Sequence, residues 1–142
     1  AVVVGLDKPA AADETSDHTL KLASERAALE NRGGAARGGR VLADQWAVAV
    51  PRALGGKVWR AAGISPAPDV ATLSCGGADG LVLASDGLWD VLSSDDAAAF
   101  VRANRLFRPE RSAAAVAAAL ASRAAALGST DDVSVVCVFF DR

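Results

Sequence analysis

The chain of 142 residues carries 15 basic and 17 acidic side chains, a formal net charge of −2, and its length suits one domain of ordinary size. Apolar residues make up 51% of it, but 33 are alanine. The larger ones can build only a thin core and nowhere approach the run of about 20 that a membrane span requires. A balance this close to neutral gives a polyanion nothing global to hold, so neither a nucleic acid nor a membrane is expected as a partner.

The β-branched run Val2-Val3-Val4 predicts a strand, ended by Gly5 and a turn at Asp7-Lys8-Pro9. Residues 10–17 are small and polar and read as a loop. Leu22, Arg26 and Leu29 recur at helical spacing, which predicts a helix over 18–32 with Gly33 as its left-handed cap. Residues 32–40 read R-G-G-A-A-R-G-G-R. This looks superficially like an RGG-type RNA-binding tract, but it is short, sits in an acidic chain and has no aromatic residue between its arginines for a base to stack on. Strands are predicted at Val41-Leu42 and over 46–50, and Pro51 stops the second of them. With two prolines, residues 63–69 must be irregular.

The second half is sharper. Leu81-Val82-Leu83-Ala84 has no polar alternation, which predicts a strand buried on both faces. Ser93 and Asp96 have the spacing of a capping box, with Asp in place of Glu. Ala97, Phe100 and Val101 then follow at helical spacing. Pro109 is expected to open a second helix, rich in alanine, with Val116, Leu120 and Leu127 on one face and Gly128 closing it. Residues 133–140 carry one hydroxyl, Ser134, and predict a final strand buried on both sides. Such strands with one-sided helices indicate helices packed over sheets. Cys75 and Cys137 lie too far apart in sequence for a C-x-x-C pair, so buried, unlinked thiols are expected.

Two acidic turns adjoin buried strands: Ser85-Asp86-Gly87-Leu88-Trp89-Asp90 and Gly128-Ser129-Thr130-Asp131-Asp132. A carboxylate at a strand end is held by a rigid scaffold while its oxygens face the solvent rim. Hard divalent cations such as Mg²⁺ and Mn²⁺ need that arrangement, taking a few oxygen ligands from protein and the rest from water. Asp-Gly is also an ordinary turn pair, so local chemistry alone leaves a structural role open. Trp89 reads as a core anchor, Arg52 as structural support, and His18 as a solvated surface residue without a catalytic role.

The segment L-V-L-A-S-D-G-L-W-D-V-L-S-S-D-D-A over 81–97 resembles the most recognisable part of the metal-dependent protein serine/threonine phosphatases, the PPM-type or 2C-like family. Gly128-Ser129-Thr130-Asp131-Asp132-Val133-Ser134-Val135-Val136 is similar to that family's closing G-S-x-D-N-[IV]-[ST]-V-V. Val48-Ala49-Val50-Pro51-Arg52-Ala53-Leu54-Gly55-Gly56 resembles its L-A-V-S-R-A-x-G-D, and Asp7-Lys8-Pro9 sits where D-H-K-P would. The resemblance implies a layered α/β (α+β) sandwich of antiparallel sheets flanked by helices. It also implies two Mg²⁺ or Mn²⁺ ions, hydrolysis of phosphoserine or phosphothreonine by a metal-activated water, and a phosphoprotein as partner. By motif, Asp86 and Asp131 would be metal ligands, and Asp90 would line a weaker third-metal position.

The resemblance covers only the latter half of the family's catalytic domain. The D-G-x-x-G motif, whose Asp bridges both metals, is not found; the two D-G pairs here are Asp79-Gly80 and Asp86-Gly87. Asp132 stands at the usual Asn, Pro51 at the usual Ser and Gly56 at the usual Asp. The expectation is therefore a single partial domain over 1–142, intracellular and monomeric, taken from an active phosphatase. As an isolated chain it should fold incompletely and be inactive. The alternative is an inactive phosphatase-like interaction module.

Overall fold

The computed structural model describes residues 1–5, 13–72 and 80–140; the expected turn at Asp7-Lys8-Pro9, Cys75 and Asp79 lie outside them. In chain order the elements are β1 (Val2–Val4), β2 (Asp13–Glu14), α1 (Ala23–Asn31), β3 (Ala36–Arg37), β4 (Arg40–Ala43), β5 (Trp46–Val48), α2 (Lys57–Ala61), β6 (Gly80–Ala84), α3 (Asp86–Trp89), α4 (Ser94–Phe107), α5 (Ala113–Ala126) and β7 (Val135–Phe139). Antiparallel sheets with helices make this an α+β chain, as expected. It divides into two compact units, one of residues 1–15 and 72–142 and one of residues 16–71.

The first unit holds a four-stranded sheet in the order β2-β1-β6-β7. Its central pairs are antiparallel, with Val2 opposite Val82 and Val82 opposite Cys137. Val2, Val4, Val82 and Cys137 point to one face, where they meet Leu88, Leu92, Val101, Val116 and Leu120 from α3, α4, α5 and the α3–α4 link. Burying each large side chain contributes roughly 1.5–3 kcal/mol, and this cluster is the main core. Burial also pushes the Cys137 thiol up to about 11.

Helices cover one face only. Leu83, Val136 and Val138 on β6 and β7 stay exposed, so the expected burial on both faces is corrected. An uninterrupted apolar run reports what a strand can bury, and here only alternate side chains meet a partner. Also unforeseen is β2, which pairs Asp13 with Val3 and Glu14 with Val2 where a loop was expected.

Ser93 caps α4 as predicted: its Oγ accepts from the Asp96 N–H at 3.1 Å and donates to Asp96 Oδ2 at 2.7 Å. The second long helix begins later than Pro109 suggests, because Ser112 supplies the cap by accepting from the Ala115 N–H at 3.2 Å. Val116, Leu120 and Ala124 form the buried stripe of α5, and Leu127 is exposed. Trp89 packs on the core and donates Nε1–H to the Ala84 carbonyl at 3.0 Å, as an anchor should. Among the described residues no helix is long and apolar enough to cross a membrane.

The second unit holds the three-stranded sheet β3-β4-β5 and α1 and α2, around a small core of Leu20, Leu29, Val41 and Ile64. Helix α1 starts at Ala23, not residue 18, and Leu22 lies exposed outside it while Leu20 is buried. Gly33 (φ 80°) ends α1 as predicted, with Gly34 N–H returning to the Leu29 carbonyl at 3.0 Å. Gly38 and Gly39, both at positive φ, form the turn of the β3–β4 hairpin, a turn that needs that conformation at both central positions. The arginine–glycine tract is therefore a hairpin. Two of its arginines are used inside the unit: Arg32 donates to the Gly63 carbonyl at 2.7 Å and Arg40 to the Ala47 carbonyl at 3.2 Å.

Candidate metal centre

The turn carrying Asp86 and the loop carrying Asp131 are fastened to each other by hydrogen bonds and close packing. Strand β6 delivers Ser85 and then Asp86, the first residue of α3; the loop after α5 delivers Asp131 just before β7. Ser85 N–H donates to the Ser134 carbonyl at 3.0 Å, extending the β6–β7 ladder by one step. Ser85 Oγ accepts the Ser134 N–H at 3.0 Å and donates to the Asp132 carbonyl at 3.0 Å. Ser129 Oγ donates to the Gly87 carbonyl at 2.7 Å.

Gly87 is buried in this seam. A Cβ there would stand 2.6 Å from the Asp132 carbonyl oxygen, so glycine is required by the closeness of the two backbones. Asp-Gly is an ordinary turn pair, but the backbone of α3 is helical at Gly87 and close approach is the reason for glycine here.

Each of the two carboxylates accepts one local hydrogen bond from the next residue. Asp86 Oδ1 takes the Gly87 N–H at 3.1 Å and Asp131 Oδ1 takes the Asp132 N–H at 2.7 Å. Both side chains are exposed, and among the described residues no cation pairs with either. Asp90 lies one helical turn past Asp86, its N–H on the Asp86 carbonyl at 2.8 Å, and is also exposed. The donors are hard oxygens on two stapled strand ends, the chemistry that Mg²⁺ or Mn²⁺ accepts. Among the described residues no group of three or more His, Cys, Asp and Glu side chains is gathered as a ligand set. The donor type fits a divalent ion, and the number of donors leaves a ligand set incomplete.

A second polar cluster, within residues 16–71, escaped sequence reading in part. Arg52 pairs through Nε and Nη2 with the buried carboxylate of Glu25, and through Nη1 with Asp69 at 2.6 Å and the Ala67 carbonyl at 3.2 Å. His18 Nε2 lies 2.8 Å from the other oxygen of Asp69. His18 is thus half-buried and paired, which corrects the expectation of a solvated residue. Arg52 has the supporting role expected of it. The Arg52 hydrogen bond holds Glu25 below the usual carboxylate range against the opposing effect of burial. Asp69 is lowered by His18 first and Arg52 second, and the two carboxylates raise Arg52 in turn. Nothing local in A-S-E-R-A-A marks Glu25 as buried; only its partner 27 positions away does.

The family model for "Protein phosphatase 2C" matches residues 1–133. The chain belongs to the protein phosphatase 2C family. It is 35% identical over 127 residues to "Probable protein phosphatase 2C 7" of Oryza sativa subsp. japonica, covering 89% of this chain and 32% of that protein. It is 32% identical over 131 residues to "Probable protein phosphatase 2C 76" of Arabidopsis thaliana, covering 89% and 29%. A solved structure titled "Structure of a C.elegans sex determining protein" superposes with a TM-score of 0.77 at 27% identity, covering 97% of this chain and 34% of that one. This protein phosphatase 2C chain therefore spans about a third of the length of the relatives it matches.

Proposed function

We propose that this chain is the later part of a single phosphatase domain that hydrolyses phosphoserine or phosphothreonine in proteins with the help of Mg²⁺ or Mn²⁺. The observation that carries the reading is the stapling of the Asp86 turn to the Asp131 loop through Ser85 and Ser129. Membership of the protein phosphatase 2C family supports it.

Asp86 and Asp131 would hold the ions, and Asp90 would face a weaker neighbouring position. Bound there, a divalent ion supplies Lewis acidity, making water a better nucleophile and drawing charge from the phosphoryl oxygens. The protein's own part is to hold the carboxylates still. Each has one oxygen tied to the next backbone N–H, on a side chain that is exposed. The seam of Ser85, Gly87 and Ser129 keeps the two strand ends from parting. The exposed apolar face of Leu83, Val136 and Val138 would be covered by the rest of the domain, where the bridging carboxylate would also lie. The reading includes a monomeric enzyme acting inside the cell on a phosphoprotein, with no nucleic acid or membrane as partner.

The test is a phosphatase assay on a phosphoserine peptide with the longer protein that contains this chain. Turnover should require Mn²⁺ or Mg²⁺ and stop in EDTA, while the 142 residues alone should show none. Turnover undiminished by EDTA would overturn the metal role, and clear turnover by the 142 residues would overturn the incompleteness. Failure of the longer protein to turn over with either ion would favour the alternative of an inactive interaction module.

A further inference from the structure

The second half of α4 and the link from it to α5 carry four arginines, Arg102 and Arg105 in the helix and Arg108 and Arg111 in the link, against one glutamate, Glu110. The chain as a whole is acidic, so this concentration of positive charge is local. Two of the arginines serve the fold: Arg102 donates to the Gly5 carbonyl at 3.1 Å, and the Arg105 guanidinium lies 4.5 Å from the centroid of the Phe139 ring. The other two line a groove of about 390 Å³ with Phe100, Ala103, Asn104 and Phe107.

The groove wall is organised. Asn104 donates Nδ2–H to the Phe100 carbonyl at 2.9 Å, which orients its Oδ1 to accept from Arg111 Nη1 at 2.9 Å. That bond uses one of five guanidinium N–H groups and ties Arg111 to the groove wall. Phe107, an apolar ring in the lining of this cationic groove, is 81% exposed. Arginine and aromatic side chains together are the composition of interface anchors.

Arginines at the end of a helix also complement its dipole. The negative end of α4 is worth about half a charge, and Arg105 already stands there. Arg108 and Arg111 add two full charges beyond it, so an anion in the groove is attracted on balance. Glu110 is exposed and makes no ion pair among the described residues. None of Asp86, Asp90 and Asp131 lines the groove. It is a separate surface, independent of the reading of Asp86 and Asp131.

We propose that this groove docks a carboxylate-bearing peptide segment of a partner protein, its acidic groups on Arg108 and Arg111 and one apolar side chain against Phe107. The arginines supply charge-assisted bonds and the ring supplies the desolvated anchor beside them.

The test is fluorescence anisotropy with the longer protein that contains this chain and a labelled peptide alternating glutamate with leucine and phenylalanine. Binding should weaken at least tenfold when salt is raised from about 0.05 to about 0.5 M. Arg108→Glu and Phe107→Ala should each cost about tenfold or more; both side chains are exposed, and circular dichroism checks that the variants fold. An Arg108→Glu/Arg111→Glu protein should prefer the same peptide with lysine in place of glutamate. Equal binding of a glutamine analogue, or indifference to all these substitutions, would overturn the proposal. So would binding to phosphatidylserine vesicles but not to the peptide, or a dimer that Phe107→Ala dissolves.

Discussion

The Ser129 hydroxyl donates to the Gly87 carbonyl at 2.7 Å across 42 positions of sequence. That bond joins the loop carrying Asp131 to the first turn of α3, which carries Asp86. With Ser85 bonded to Asp132 and Ser134 on the other side, the two acidic turns cannot separate without losing polar bonds at a partly covered seam.

Removing a hydroxyl should therefore loosen the seam measurably. Ser85→Ala deletes one donated and one accepted bond, and should lower stability by about 1–3 kcal/mol. Ser129→Ala deletes one bond and should cost about half as much. Urea denaturation checks both, and an unchanged midpoint for Ser85→Ala would remove the staple from the account.

Gly87→Ala sets two effects against each other. Alanine is favoured over glycine in a helix by about 1 kcal/mol, but its methyl would meet the Asp132 carbonyl oxygen at 2.6 Å. Overpacking against backbone costs about 1–3 kcal/mol. The expected net result is a loss of up to about 2 kcal/mol, with weaker Mn²⁺ affinity by calorimetry because the turns are forced apart. A stabilised variant would show that the seam gives way easily.

On the proposed ligand assignment, Asp86→Ala and Asp131→Ala in the longer protein should each lower phosphatase activity by about 100-fold or more, since each would remove a negative charge and an oxygen donor from the cation. Asp132 acts through its backbone, its carbonyl accepting from Ser85 Oγ and its N–H donating to Asp131 Oδ1, so Asp132→Asn should leave activity within about threefold. Equal losses at all three positions would reject the assignment of ligands.

Acid should weaken the unit of residues 16–71 through Glu25 and Asp69. Both carboxylates are lowered in the folded chain from ordinary values of 4.5 and 3.8, so the unfolded chain binds protons first as pH falls. Their stabilisation is complete above those ordinary values and is lost as pH falls through the lower folded ones. Arg52→Gln should lower the melting temperature at pH 7 and flatten the pH dependence below about 4.5. A pH profile parallel to that of the unsubstituted chain would mean that Arg52 does not set these carboxylates.

Elements governed by neighbours in the chain were legible beforehand. Ser93 and Asp96 close a helix start with their own hydrogen bonds. Gly33, at φ 80°, takes a conformation that costs other residues more, and Val2–Val4 are β-branched, so these features follow from local sterics and could be read in order. The two acidic turns were legible as motifs for the same reason, since an aspartate at a strand end needs only its own strand to be placed.

Only tertiary structure decided the rest. The burial of Glu25 depends on Arg52 arriving from 27 positions away, and the pairing of His18 depends on Asp69, 51 positions off. Leu83, Val136 and Val138 have the apolar character of buried strand residues, yet α3, α4 and α5 lie over the opposite face and leave them exposed. Ser85, Gly87 and Ser129 look like ordinary turn residues until two distant loops meet. A side chain's type fixes what it can bury or bond, but which partner reaches it is set by packing that no local stretch of sequence contains.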